Sequence, residues 1–174
     1  YLLHALDEGT AKQAEEWGAF DFMLEKKAKG LVKHVGFSFH DKAEVLENIL
    51  TRHPEMEYVQ LQLNYADWED SEVQSRKCYE VCVKHNKPVL VMEPIKGGML
   101  ANVPAEAKKL LKDARPEMSV ASWAIRFAAS QEKVFMVLSG MSDEQQVEDN
   151  LSYMKDFTPL SNAEKDLVAR SAAI

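Results

Sequence analysis

The sequence has few cysteines, no long apolar run and no excess of positive charge, and each shortage excludes a class of protein. Its 174 residues contain two cysteines, Cys78 and Cys82, whose spacing places them one turn apart on a predicted helix. We interpret them as small core side chains in a reducing compartment. No apolar stretch approaches the ~20 residues of a membrane span, and no signal peptide is visible. The formal net charge of -7 argues against a nucleic-acid partner. The expected location is the cytoplasm.

The bulk composition is that of an ordinary globular domain. Hydrophobic residues make up 46% and charged residues 28% of the chain, which is enough for one domain with a substantial core. The chain opens at Tyr1 within a strand-like run and stops at Ile174 within a helix-like one. We therefore expect residues 1–174 to form a single portion of a longer domain.

Short apolar runs alternate with amphipathic segments along the whole chain. The predicted strands are Tyr1–Leu6, Leu31–Phe39, Tyr58–Asn64, Val89–Met92 and Val134–Leu138. The predicted helices are Ala11–Lys29, Asp41–Leu50, Ser71–His85, Pro104–Lys112, Val120–Ala129, Asp143–Tyr153 and a last one capped by Ser161. Helical connections between short buried strands predict an α/β fold with a parallel sheet and right-handed crossovers.

Polar or small residues stand where the predicted strands end. They are His4, Ser38, Gln62 with Asn64, Glu93, and Ser139 with Gly140. In a parallel sheet these ends share one edge, which is where (β/α) barrels keep their sites. After Glu93 two adjacent glycines, Gly97 and Gly98, would let the backbone approach a ligand closely. The alternative for this segment is a tight turn with an exposed lysine.

Five segments of the chain resemble the aldo-keto reductase family, in the order and at roughly the spacing of that family. They are YLLH, KHVGFSF, YVQLQLNY, VMEPIKGGML and VLSGMSDEQQVEDNL. The resemblance implies strands four to eight of a (β/α)8 TIM barrel, so that the chain would be its carboxyl-terminal portion and the first three strands would be absent. EPIKGG and SGM are similar to a subgroup that often continues into a ferredoxin-like tail.

The resemblance implies reduction of a small-molecule carbonyl with NADP(H) or NAD(H). His4 would donate to the carbonyl oxygen or orient the substrate. Ser38 and Gln62 would bind the nicotinamide carboxamide, and Tyr65 would stack on the ring. For the pyrophosphate and adenosine the implied residues are Ile95, Lys96, Gly97, Gly98, Leu100, Gly140, Gln146, Asp149 and Asn150. Backbone amides of the glycine segment would bind the pyrophosphate, with Lys96 as a point charge.

The chain also departs from the family pattern. Phe39 stands where an asparagine usually follows the serine, and Gly140, Met141 and Gln146 stand where members that prefer NADP carry cations for the 2′-phosphate. A preference for NADP over NAD therefore loses its main support. The family's catalytic tyrosine, lysine and aspartate would lie upstream of Tyr1, so we predict no reductase turnover by this chain alone.

Two further expectations follow from the resemblance. A non-catalytic nucleotide-binding or regulatory module, like the β-subunits of potassium channels, is the alternative function. A half barrel would expose two sheet edges, so we expect the chain to pair with the missing half or with itself.

The other histidines, the tryptophans and an acidic run are interpreted as structural or surface residues. His34, His53 and His85 have no partners at metal-ligand spacing, so no metal is predicted. The tryptophans Trp17, Trp68 and Trp123 are interpreted as core or loop residues. The acidic run from Asp67 to Asp70 is predicted to be a solvated loop.

Overall fold

Five parallel strands form one sheet in the computed structural model, which describes all residues, 1–174. The strands are β1 (Leu2–Leu6), β2 (Gly36–Phe39), β3 (Tyr58–Gln62), β4 (Val89–Met92) and β5 (Val134–Val137). They are adjacent in sequence order, β1-β2-β3-β4-β5, and every neighbouring pair is parallel. The predicted parallel sheet is confirmed, and β1 and β5 are its two open edges.

Eight α-helices connect and cover the strands. They are α1 (Glu8–Glu16), α2 (Ala19–Ala28), α3 (Ala43–Arg52), α4 (Ser75–Lys84), α5 (Ala105–Ala114), α6 (Val120–Ala129), α7 (Glu144–Met154) and α8 (Asn162–Ala172). A short 3₁₀ turn, Met99–Ala101, precedes α5. None of these helices has the length and apolar character to cross a membrane.

The first predicted helix is two helices, and this prediction was wrong. The chain breaks between α1 and α2 at Gly18, whose φ of 67° lies in the left-handed region that glycine adopts freely. Trp17, next to the break, is 73% exposed and does not belong to the core. Apolar spacing alone could not find the break, because the spacing continues across it.

The cap predicted at Ser161 is confirmed, and Ser119 also caps the helix that follows it. Ser119 Oγ accepts from the backbone N–H of Ser122 at 3.1 Å, and Ser161 forms a capping box with Glu164. The helices predicted to begin at Asp41 and Ser71 begin later, since Lys42 and Gln74 are the residues that precede α3 and α4. Before α4, Asp70 Oδ1 accepts from the backbone N–H groups of Glu72 and Val73, both at 2.8 Å, and this local turn takes the place of a helix start at Ser71.

The core lies between the sheet and the helices. β2, β3 and β4 send alternate side chains to this side, among them Phe37, Val59 and Val91, all fully buried. The nearly apolar α6 packs against β5 and the 3₁₀ turn, and its Trp123 is fully buried. Cys78 and Cys82 of α4 are buried, and burial raises the pKa of the Cys78 thiol to about 12. Both thiols are therefore inert core side chains, as the sequence predicts.

The opposite face of the sheet carries exposed apolar side chains. Phe135 and Met136 of β5 are 54% and 51% exposed. On this face Gln60 donates to the Met92 sulfur at 3.3 Å, across β3 and β4. Glycine at position 36 permits close approach of β2 and β3, since a Cβ there would lie 2.4 Å from the carbonyl oxygen of Tyr58.

Candidate functional site

A groove at the carboxyl ends of β4 and β5 collects most of the residues predicted to bind pyrophosphate and adenosine. Its volume is about 330 Å³, at the lower end of the range for ligand sites. The predicted residues that line it are Ile95, Gly97, Gly98, Gly140, Gln146, Asp149 and Asn150. They come from the turn after β4, the loop after β5, and α7. We refer to this cavity as the β4–β5 groove; Lys96 and Leu100 do not line it.

The glycine turn after β4 is tightly folded. Gly97 and Gly98 have φ values of 60° and 94°, which suit glycine. Its backbone N–H groups are bonded within the turn: Gly98 and Leu100 both donate to the carbonyl oxygen of Ile95 at 3.1 Å. Gly97 donates to the Glu93 carboxylate at 2.7 Å. The amides of Gly97, Gly98 and Leu100 are therefore already bonded, that of Gly97 to an anionic side chain.

The wall of the groove formed by α7 is held by side-chain hydrogen bonds. Asp149 Oδ2 accepts from Ser119 Oγ at 2.6 Å, and Asn150 Nδ2 donates to Ser139 Oγ at 3.0 Å. The Tyr153 hydroxyl donates a hydrogen bond to the side-chain Oδ1 of Asn150, and burial raises the pKa of Tyr153. Gln146 Oε1 accepts from the backbone of the loop after β5 at 2.7 Å. These bonds fix the predicted adenosine side chains before any ligand binds.

The groove carries negative charge only. Its ionisable lining residues are Glu93 and Asp149, and no lysine or arginine lines it. Lys96 instead pairs with the Asp67 carboxylate, at the end of β3. The predicted role of Lys96 as a point charge for phosphate would require this pair to separate.

Asp67 is a buried anion that organises the ends of β3 and β4. It is 1% exposed, so the prediction of a solvated loop was wrong for this residue. Asp67 Oδ2 accepts from Gln62 Nε2 at 2.9 Å and from Asn64 Nδ2 at 2.8 Å. Asn64 Nδ2 also donates to the carbonyl oxygen of Glu93 at 3.1 Å, which joins the two strand ends.

The ionised form of Asp67 is favoured by its partners. Burial alone would raise the pKa of Asp67, but hydrogen bonds from Lys96, Gln62 and Asn64 outweigh it and hold that pKa below its usual range. The sequence signal that could have found this residue is local. An asparagine three positions before the aspartate forms a turn after the strand, in which Asp67 N donates to Asn64 Oδ1 at 2.9 Å.

Ser38 lies in a buried position at the carboxyl end of β2. It is fully buried, and its Oγ accepts from the backbone N–H of Ala5 at 2.7 Å. Ala5 has a φ of 54°, within the irregular end of β1. The Ser38 hydroxyl proton remains available for a second bond. Phe39, which replaces the expected asparagine, turns into the core.

His4 and Tyr65 differ in their access to solvent. His4, on β1, is exposed. Tyr65 is 5% exposed, its ring contacts Phe127 edge-to-face at 6.2 Å, and Ser171 of α8 lies against it. The predicted stacking of Tyr65 on a nicotinamide would therefore require α8 to move. Leu100 is buried close to it in the same cavity wall.

No group of three or more His, Cys, Asp or Glu side chains is arranged to hold a metal ion. Trp68 contacts Phe127 and Tyr79 at ring distances of 5.3 and 5.8 Å, and its interpretation as a core or loop residue is confirmed.

Comparison with known proteins gives a consistent result. The sequence model of the aldo/keto reductase family matches residues 1–171. Aldo-keto reductase AKR11C1 from Bacillus halodurans, in its holo form, has the same fold with a TM-score of 0.76 at 17% identity, over 98% of this chain and 57% of that chain. Aldo/keto reductase from Klebsiella pneumoniae in complex with NADP and acetate gives a TM-score of 0.71 at 19% identity, over 98% and 57%. No curated protein matches this chain in sequence.

The solved structures are considerably longer than this chain. It covers about 57% of the Bacillus halodurans and Klebsiella pneumoniae proteins. Their fold is a (β/α)8 barrel, and the predicted fold class of a partial TIM barrel is confirmed.

Proposed function

Because the chain belongs to the aldo/keto reductase family, we propose that the whole protein reduces a small carbonyl compound to an alcohol with NAD(H) or NADP(H). The observation that best supports this is the β4–β5 groove, which brings together seven of the nine residues expected at pyrophosphate and adenosine. The groove lies at the carboxyl ends of parallel strands, where barrels of this kind bind their ligands.

The residues of the groove fit the adenosine half of a dinucleotide better than its phosphates. Gln146, Asp149 and Asn150 offer fixed polar atoms along α7. No lysine or arginine lines the groove, so its lining offers no cation that would favour NADP, with its 2′-phosphate, over NAD. The Klebsiella pneumoniae relatives were solved with NADP and with NADPH; we extend nicotinamide binding, but not the choice between the two cofactors, to this protein.

Ser38 and Gln62 form a complementary pair for a carboxamide. Ser38 already accepts from Ala5, so its hydroxyl would donate to the carboxamide oxygen once this fully buried side chain became accessible. Gln62 already donates its amide N–H to Asp67, so its carbonyl oxygen can accept from the carboxamide nitrogen. The bound cofactor would supply a hydride to the carbonyl carbon. His4, exposed at the adjacent strand end, would donate a hydrogen bond to the carbonyl oxygen.

We propose that the proton donor is not among the residues of this chain. Burial raises the pKa of Tyr58, Tyr65 and Tyr153, which makes each a poorer acid near neutral pH. Tyr153 already donates to Asn150. Without a tyrosine tuned for proton transfer at the β1–β3 rim, the 174-residue chain would bind nucleotide without turnover.

Two measurements on the 174-residue chain test this proposal separately. Calorimetric titration with ADP-ribose, up to millimolar concentration, should show binding. An Asn150→Ala variant should bind about tenfold more weakly, as loss of one or two hydrogen bonds predicts. Glu148→Gln, on the same helix but outside the groove, should bind normally.

NADH oxidation with a panel of aldehydes should show no turnover. Turnover at ordinary reductase rates would refute the missing proton donor, and absence of ADP-ribose binding would refute the groove.

A non-catalytic nucleotide-binding module is the second candidate. The assembled groove would serve it equally well, because nucleotide binding alone requires no proton donor. The whole protein distinguishes the two candidates, because an enzyme would oxidise NADH with some aldehyde, whereas a regulatory module would bind NADH and leave the aldehydes unreduced.

We also propose that the exposed face of the sheet is covered in the whole protein by further strands of the barrel. Phe135, Met136 and Leu138 are each more than two-fifths exposed, and β1 and β5 are open edges. Such surfaces favour association. Analytical ultracentrifugation of the isolated chain should therefore show self-association, and a monomer at all concentrations would count against this proposal.

A further inference from the structure

A carboxylate occupies the position in the β4–β5 groove where a phosphate would meet the glycine turn. Glu93 Oε2 accepts from the backbone N–H of Gly97 at 2.7 Å, and both residues line the groove. Backbone N–H groups of glycine turns are the usual ligands of phosphate oxygens. An internal anion therefore already uses the donor that a pyrophosphate would need.

The backbone at Glu93 is strained. Glu93 has a φ of 55°, although residues other than glycine disfavour positive φ and a residue before proline prefers an extended conformation. Lys96, within the same turn, has a φ of 50°. The hydrogen bond from Gly97 to the Glu93 carboxylate helps to offset this strain, and a ligand that replaces it would release the side chain.

No cation of the groove compensates the charge of Glu93. The other ionisable side chain in the lining is Asp149, also acidic. The nearest candidate in the sequence, Lys96, is paired with the buried Asp67 carboxylate. A phosphate entering the groove would therefore meet Glu93 without a counter-charge, at a short distance where repulsion is substantial.

Resting on the nucleotide-binding function proposed above, we propose that Glu93 is a specificity-determining residue that competes with ligand phosphates for the Gly97 amide. Adenosine binds along α7 without disturbing Glu93. A ligand with a pyrophosphate binds only when the carboxylate turns away, and loses affinity by the cost of that displacement. Glu93 thereby makes the groove select for the nucleoside and weakens its hold on the phosphates.

Calorimetry with two ligands and two matched variants tests this role. Glu93→Gln retains the length and an acceptor oxygen but removes the charge. It should bind ADP-ribose about tenfold more tightly than the unchanged chain, and adenosine within twofold. Glu148→Gln removes one charge from the exposed side of α7 and should change neither affinity.

The possible outcomes separate the role of Glu93 from nucleotide binding by the groove. If both ligands bind but Glu93→Gln leaves ADP-ribose affinity unchanged, or raises adenosine affinity equally, the role of Glu93 is refuted and nucleotide binding stands. If neither ligand binds any variant, the proposed function fails and this inference fails with it. Glu93→Gly, which suits the positive φ, gives the same test should the glutamine variant not fold.

Discussion

The β4–β5 groove and the rim formed by the ends of β1, β2 and β3 were both predicted to bind parts of one cofactor, yet they are built differently. In the groove, Asp149 and Asn150 are held by neighbouring hydroxyls and face an open cavity. At the rim, Ser38 and Tyr65 are buried and Gln62 is tied to the buried Asp67. The groove is thus preformed within this chain, whereas the rim is closed by its own internal contacts.

The difference indicates which half of a ligand site a partial barrel can complete alone. α7 and the turn after β4 are both contained in the chain, so the walls of the groove are formed by its own residues. The rim lies toward the open edge at β1, where no further strand is present. There Gln62 and Asn64 bond to the Asp67 carboxylate, whereas the buried Tyr65 hydroxyl has no hydrogen-bond partner.

The largest expected effect on stability comes from removing the Asp67 carboxylate, which connects the rim to Lys96 in the glycine turn. Asp67→Ala should lower the free energy of unfolding by about 3 kcal/mol, since it leaves Lys96, Gln62 and Asn64 without their acceptor. Urea denaturation followed by circular dichroism measures it. Asp113→Ala, which removes an exposed carboxylate paired with Lys109, should cost less than about 0.5 kcal/mol. Equal losses in the two variants would show that the network does not hold the rim.

The same network should give a characteristic dependence on pH. The pKa of Asp67 is lower in the folded protein than in the unfolded chain, so its contribution is complete at neutral pH and is lost as the pH falls below about 4. The stability difference between the unchanged chain and Asp67→Asn should be about 2 kcal/mol at pH 7 and should shrink towards pH 3. A stability difference that grows as the pH falls would contradict the lowered pKa of Asp67.

A smaller effect is expected at the junction of β1 and β2. Ser38→Ala removes the acceptor of the Ala5 N–H within a fully buried site, at a cost of about 1.5 kcal/mol. If the rim is separate from the groove, ADP-ribose affinity should not change. Calorimetry on the folded variant checks this, and Ser152→Ala on exposed α7 serves as control. A loss of ADP-ribose affinity in Ser38→Ala would show that the two regions are coupled.

The smallest expected effect lies in the glycine turn of the groove. Gly98→Ala places a side chain at a φ of 94°, and the strain should cost about 1 kcal/mol. Gly140→Ala, at a groove glycine with open space and no positive φ, should cost less than about 0.5 kcal/mol. Thermal unfolding of the two variants measures the difference. If Gly140→Ala is the more damaging, the turn after β4 is not the constrained wall of the groove.

Local sequence patterns predicted the elements well where one residue type forces one conformation. Ser161 with Glu164 indicated a helix start that the structure contains. The break at Gly18 and the late start of α4 were missed, since competing hydrogen bonds and a single glycine leave the apolar spacing unchanged. Seven of the residues that line the groove were predicted from the order of motifs, whereas the Glu93–Gly97 bond and the Lys96–Asp67 pair were not.

The sequence by itself determined the alternation of strands and helices, the parallel order of the sheet and the gathering of polar residues at one edge, because these depend on apolar period and on connection length. Only the tertiary structure decided which of those polar groups are free. Asp67 lies in an acidic run whose sequence predicts a solvated loop, yet it is buried, with two donors from the end of β3 and one from the turn after β4. Gln62 and Asn64 are close to Asp67 in sequence, but Lys96 is 29 residues away, and only folding brings its charge to this carboxylate.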